Sequence, residues 1–181
     1  MKEFGAKHSE HTPNKFAGVF NPETGKYFIN KDYSQPVKEH EAHHVLVNKM
    51  IEKHGLPKIS NLYDKLISEN IHPSVVNLLH STLKSNSNYA RMRASSNPRY
   101  QLHYKEEMVN LLRDFIHGEK KGSKQNPHIE NRRKMITDYL NNNLDDLQSA
   151  GFKSANHFDA ELKRSWKKLR DAANNVKPED L

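Results

Sequence analysis

Apolar positions recur at helical spacing over much of this chain. Val45, Leu46, Met50 and Ile51 mark a helix over 45–54, and Gly55 followed by Pro57 reads as its stop. Ser60 reads as the N-cap of a helix over 60–69, with Ile59, Leu62, Tyr63, Leu66 and Ile67 on one face. Tyr104, Met108, Leu111, Leu112, Phe115 and Ile116 predict a strong amphipathic helix over 100–117, closed by Gly118. Ile136, Leu140, Leu144 and Leu147 share a face of a helix over 128–150 that ends before Gly151. Phe158, Leu162, Trp166, Leu169, Ala173 and Val176 form the seam of a last helix over 156–175, capped by Asn156. The last two helices read as an antiparallel hairpin, with Trp166 deep in its seam.

Three stretches break the helical period. Two aromatic-rich runs, 16–20 and 26–29, flank Asn21-Pro22-Glu23-Thr24-Gly25 and predict a β-hairpin. Residues 71–79 read as a turn and a short extended run. Residues 84–99, rich in Ser, Asn and Arg, read as loop. The expected organisation is a flexible terminus (1–15), a first domain (16–117), a linker (118–127) and a helical hairpin (128–181).

Composition narrows the function classes. With 34% apolar and 28% charged residues and a mean hydropathy of −0.97, the core is small, and no apolar run is long enough to span a bilayer. No apolar stretch follows the basic start, so the expected location is cytoplasmic, or one reached by a route independent of a signal peptide. Cysteine is absent, which leaves nitrogen and oxygen as metal donors, and twelve histidines can supply the nitrogen. A net charge of +7 favours polyanionic partners, nucleic acid first.

The chemistry concentrates at the adjacent pair His43-His44, in Glu41-Ala42-His43-His44-Val45. Neighbouring side chains diverge, so one imidazole can bind a metal while the other faces substrate. Asn77 follows in the 71–79 run, and Ser95-Ser96-Asn97-Pro98-Arg99-Tyr100 precedes the amphipathic helix. In this order the segments resemble the AHH branch of the HNH (ββα-metal) nucleases, over roughly residues 40–116.

The expected fold is mainly α with a small N-terminal β-hairpin and a C-terminal helical hairpin, to which the resemblance adds a ββα-metal-like centre. The resemblance implies a metal-dependent endonuclease acting on DNA or RNA, of the kind found in toxin or effector domains with an immunity or partner protein. His43 becomes a metal ligand, His44 the general base, Asn77 the group that orients the base, and Tyr100 a neighbour of the site. Asn97 stands where the family has a metal-binding histidine, and Arg93 where a second is expected. His103 is the better substitute, and His80 the other. An Asn oxygen suits a hard ion, so Mg²⁺ is expected over Zn²⁺. Arg91, Arg93 and Arg99 are expected to hold phosphates. The alternatives are a catalytically lapsed nucleic-acid-binding module and a helical protein-interaction domain.

Overall fold

In the computed structural model, residues 18–20, 27–29, 35–117, 127–177 and 179 are described, with side chains over 39–116, 134–177 and 179. The expected terminus (1–15) and most of the expected linker (118–126) lie outside the described residues. Strands β1 (Gly18–Phe20) and β2 (Tyr27–Ile29) pair antiparallel, Val19 opposite Phe28.

Eight helices follow among the described residues. They are α1 (Gln35–His54), α2 (Leu56–Asn70), α3 (Pro73–Lys84), α4 (Ser87–Ala94), α5 (Pro98–His117), α6 (Pro127–Asn142), α7 (Leu144–Ser149) and α8 (Ala155–Asn174). The expected fold class is therefore corrected. From Gln35 onward every described element is a helix, so the part of the chain that carries the candidate residues is all-helical and has no ββα-metal-like centre. The His43-His44 pair lies within α1, and Asn77 sits in α3 rather than in a strand.

The local reasons for these corrections are readable. Pro73 takes the first turn of α3, where its missing N–H costs nothing, and His72 caps that helix by accepting from Ser74 N at 3.2 Å. Val75, Leu78 and Leu79 then recur at helical spacing and are buried, so packing overrides the β propensity of Val75-Val76. The expected 84–99 loop contains α4, capped by Asn86 with Asn88 N as donor at 2.9 Å; no residue of α4 is buried. Gly55, at φ 87°, ends α1, while Pro57 opens α2 instead of extending the stop. Ser60 lies inside α2, and Ser154, not Asn156, caps α8 by accepting from His157 N at 3.2 Å.

Helix α5 is the hub, in contact with α1, α2, α3, α4, α6 and α8. One apolar cluster joins Leu78, Leu79, Leu111 and Leu112 to Ile136, Leu147, Phe158, Leu162 and Leu169. The C-terminal helices thus share a core with α3 and α5, and α8 rests on α2 and α5 rather than pairing with α6 as a hairpin of its own. The buried stripe of α8 runs Phe158, Leu162, Ser165, Leu169. Ser165 Oγ accepts from His72 N at 3.2 Å. Trp166, expected at the centre of the seam, lies beside the stripe and is half-buried. A second cluster of Val47, Ile59, Tyr63 and Leu102 ties α1 and α2 to α5.

Phe158 is fully buried whereas Leu144 is 43% exposed. Phe158→Ala is expected to cost about 3–5 kcal/mol in urea unfolding, as large core truncations do. Leu144→Ala should stay within about 0.5 kcal/mol. Equal effects would show that α8 does not share the core.

Candidate metal centre

The interface of α1 and α5 is polar at its middle. Successive turns of α1 present His40 and His44, four residues apart on one face, with Glu41 beside them. Helix α5 answers with His103, Glu106, Glu107, Asn110 and Asp114, again at three- and four-residue spacing. All of these side chains are buried. Burying so many charged and titratable groups is costly, and apolar residues of similar volume would hold two helices together at least as well. Such clusters are characteristic of functional sites.

The orientations are ordered. His40 Nδ1 lies 3.3 Å from Asp114 Oδ2, and His44 Nδ1 lies 2.5 Å from Glu106 Oε2. An ionised carboxylate only accepts, so both rings donate from Nδ1, and His44, bonded to carboxylates at both nitrogens, is an imidazolium until an ion displaces its Nε2 proton. Their Nε2 atoms both face Glu107 Oε1, at 3.4 Å from His40 and 3.0 Å from His44. His103 stands alongside, its ring 4.5 Å from that of His44 and its Nε2 3.7 Å from Glu107 Oε1. Arg99 Nη1 donates to the other oxygen of Glu106 at 2.6 Å.

Two groups of these side chains have ligand atoms within 4.8 Å of one another: His40, His44 and Glu107, and His44, His103 and Glu106. Buried His/Glu groups able to hold a metal ion are therefore present. A tetrahedral ion with bonds of about 2.0–2.1 Å sets its ligand atoms about 3.3–3.4 Å apart. The separations of 3.0 and 3.4 Å around Glu107 Oε1 bracket that spacing.

The electrostatics follow from burial and pairing. Burial alone would lower the His44 pKa, but its bonds to Glu106 and Glu107 overcome that and hold it at about 10. Burial likewise opposes ionisation of Glu106 and Glu107. His103, His44 and Arg99 around the first, and His40 and His44 around the second, keep both below the usual carboxylate range. Glu41 is different: burial raises its pKa, against the pull of His40 and His44.

His43 faces another way. Its Nδ1 donates to Asn110 Oδ1 at 2.7 Å, and its Nε2 accepts from the Tyr63 hydroxyl at 2.5 Å. Burial lowers its pKa to about 4, so the ring is neutral. Of the other residues singled out in the sequence, only His44 and His103 meet in the cluster, with Arg99 behind Glu106. Asn77, Arg91 and Arg93 are exposed on α3 and α4. Asn97 is exposed and caps α5, its Oδ1 accepting from Arg99 N at 2.9 Å. Tyr100 is half-buried, and His80 Nδ1 pairs with the Tyr104 hydroxyl at 2.9 Å. Arg99, expected at a phosphate, is buried against Glu106.

His40, Glu41, Glu106, Glu107 and Asp114 were not anticipated. The signal for the first two was present: residues 40–44 read His-Glu-Ala-His-His, which contains His-Glu-x-x-His on a helix, a spacing suited to zinc. The adjacent His-His pair obscures it. No protein family, no curated protein and no solved structure matches this chain.

In chelator-treated protein the His44 pair contributes stability that is fully present below the unfolded pKa, about 6.5, and is lost as pH rises toward about 10. Unfolding free energy should fall over that interval by up to about 1.4 kcal/mol per pH unit. His43 stays neutral there, and Tyr63, whose hydroxyl is held well above its usual pKa, stays protonated. His44→Gln should flatten this alkaline limb in urea titrations; an unchanged slope would show that His44 is not the buried cation.

Proposed function

We propose that the protein is a mononuclear zinc hydrolase that cleaves peptide bonds. One observation carries this reading. On an α-helix, two histidines four residues apart each brace Nδ1 on a carboxylate and turn Nε2 toward one oxygen of Glu107. Carboxylate braces of this kind fix the tautomer and orientation of metal-binding imidazoles. His40, His44 and Glu107 would hold the ion, leaving a coordination position for water or substrate, as catalytic zinc sites do. Imidazole-rich donors favour zinc over magnesium. The expectation of Mg²⁺ rested on Asn97 as a ligand, and Asn97 is engaged in capping α5.

Zinc in such a site supplies a water acidified to near neutral pH and polarises the scissile carbonyl. Glu41 is the general base. It follows the first histidine directly, and burial raises its proton affinity toward the useful range. It takes the proton of the attacking water and returns it to the leaving amine. His103, beside His44, donates to the developing oxyanion. Arg99 positions Glu106, and through it His44. The nuclease expectation draws no support from this geometry, since Asn77 and Asn97 are exposed and Arg99 is turned inward.

Zinc titration by calorimetry is expected to show one equivalent bound, lost in His44→Ala. Glu41→Gln should keep the zinc but lower hydrolysis of a fluorogenic peptide pool by about 10²–10⁴-fold, the usual worth of a general base. No stoichiometric zinc, or full peptidase activity in Glu41→Gln, would remove the proposal. Zinc-dependent cutting of plasmid or RNA without peptide cleavage would return the protein to the nucleases.

A further inference from the structure

On the opposite side of His43 and Asn110 from the metal cluster, α1, α2, α5 and α8 line a half-open cavity of about 530 Å³. Its size is that of a small-molecule site. Its wall is mostly apolar, built from Leu46, Leu66, Val109, Trp166 and Leu169. Leu46 is 58% exposed at its rim; Leu144 is the other large apolar side chain so exposed among the described residues.

The polar lining is unevenly placed. His43, Asn110 and Arg113 come together from α1 and α5, while the α2 side contributes Leu62, Leu66 and Tyr63, whose hydroxyl is bonded to His43. Two arginines, Arg113 and Arg170, and one acid, Glu39, are among the lining residues. Arg113 Nη2 is ion-paired with Asp114 Oδ1 at 3.1 Å and Arg170 Nη2 with Asp171 Oδ1 at 3.3 Å, each pair using one of the five N–H donors of a guanidinium. The cavity therefore combines an apolar trough with a polar edge that carries the Arg113 guanidinium. A docked helix, about 10–12 Å across with its side chains, needs a longer and wider groove than this volume provides.

We propose that this cavity binds a single-chain anionic amphiphile, its acyl chain along Leu66 and Trp166 and its carboxylate at Arg113. The proposal is independent of the zinc chemistry. Trp166 is the chain's single tryptophan, so its emission reports the cavity directly.

The test uses the full chain and dodecanoate below its micelle concentration. Dodecan-1-ol and dodecyltrimethylammonium serve as neutral and cationic controls. Dodecanoate is expected to shift Trp166 emission saturably, with one molecule bound and at least about tenfold preference over the cationic chain, the worth of one partly exposed charge contact. Arg113→Met should erase that preference while the neutral chain binds as before. Ala173→Phe, which adds bulk at an exposed position of the lining, should weaken dodecanoate about tenfold or more with the melting temperature unchanged. A linear, non-saturating response, equal affinity for all three chains, or indifference to Ala173→Phe would overturn the proposal. So would an amphipathic peptide that shifts Trp166 when dodecanoate does not, which would make the cavity a protein-docking site.

Discussion

The fold depends on how α1 and α5 are joined. An apolar cluster clasps one side of this pair, but its middle is a set of imidazoles and carboxylates shut away from water. Such groups are tolerated inside a protein only when each charge meets an opposite charge or a hydrogen-bond partner. That requirement fixes the register of the two helices. Sliding α5 by one turn would separate Glu106 and Glu107 from His44, and Asp114 from His40. An apolar seam is less demanding, since leucines repack when shifted.

The surrounding helices hold this register in place. Helix α5 contacts most of the others, so the face that carries His103, Glu106 and Glu107 is oriented by packing on its remaining sides. Leu111 and Leu112 anchor it in the main core, and Leu102 in the second cluster with Val47, Ile59 and Tyr63. Tyr63 also reaches His43, which links the placement of α2 to the orientation of α1. His43 and Asn110 stand between the proposed metal centre and the apolar cavity, so the bond between them separates a polar interior from an apolar one. The neutral tautomer of His43 suits that boundary, because an imidazolium there would face both Arg113 and the His44 cation.

Much of the helix content was legible because its cause is local. The stripes in 56–70, 98–117 and 155–174 follow from apolar spacing, and Gly55 and Gly151 adopt the positive φ that their positions as helix terminators imply. The miscast segments share another cause. Residues 71–79 contain a proline and β-branched residues, which are weak local votes against a helix, and burial of Val75, Leu78 and Leu79 outweighs them. Trp166 was placed one position off the buried stripe because Ser165 carries no apolar signal, yet its hydroxyl meets the His72 amide.

By itself the sequence determined that the chain is helix-rich, lacks cysteine ligands and carries a histidine cluster near residue 43 with His103 in reserve. It also contained the His40-Glu41-x-x-His44 spacing, since residues four apart on a helix share a face whatever packs against it. Tertiary structure alone decided which imidazoles converge. His43 and His44 are equivalent in composition, and only the arrival of α5 directs one to Asn110 and the other to Glu106 and Glu107. Glu106, Glu107 and Asp114 read as ordinary charges on the polar face of an amphipathic helix. Their burial is set by a partner helix more than forty residues away in the chain, and such a contact leaves no periodic trace in the segment that receives it.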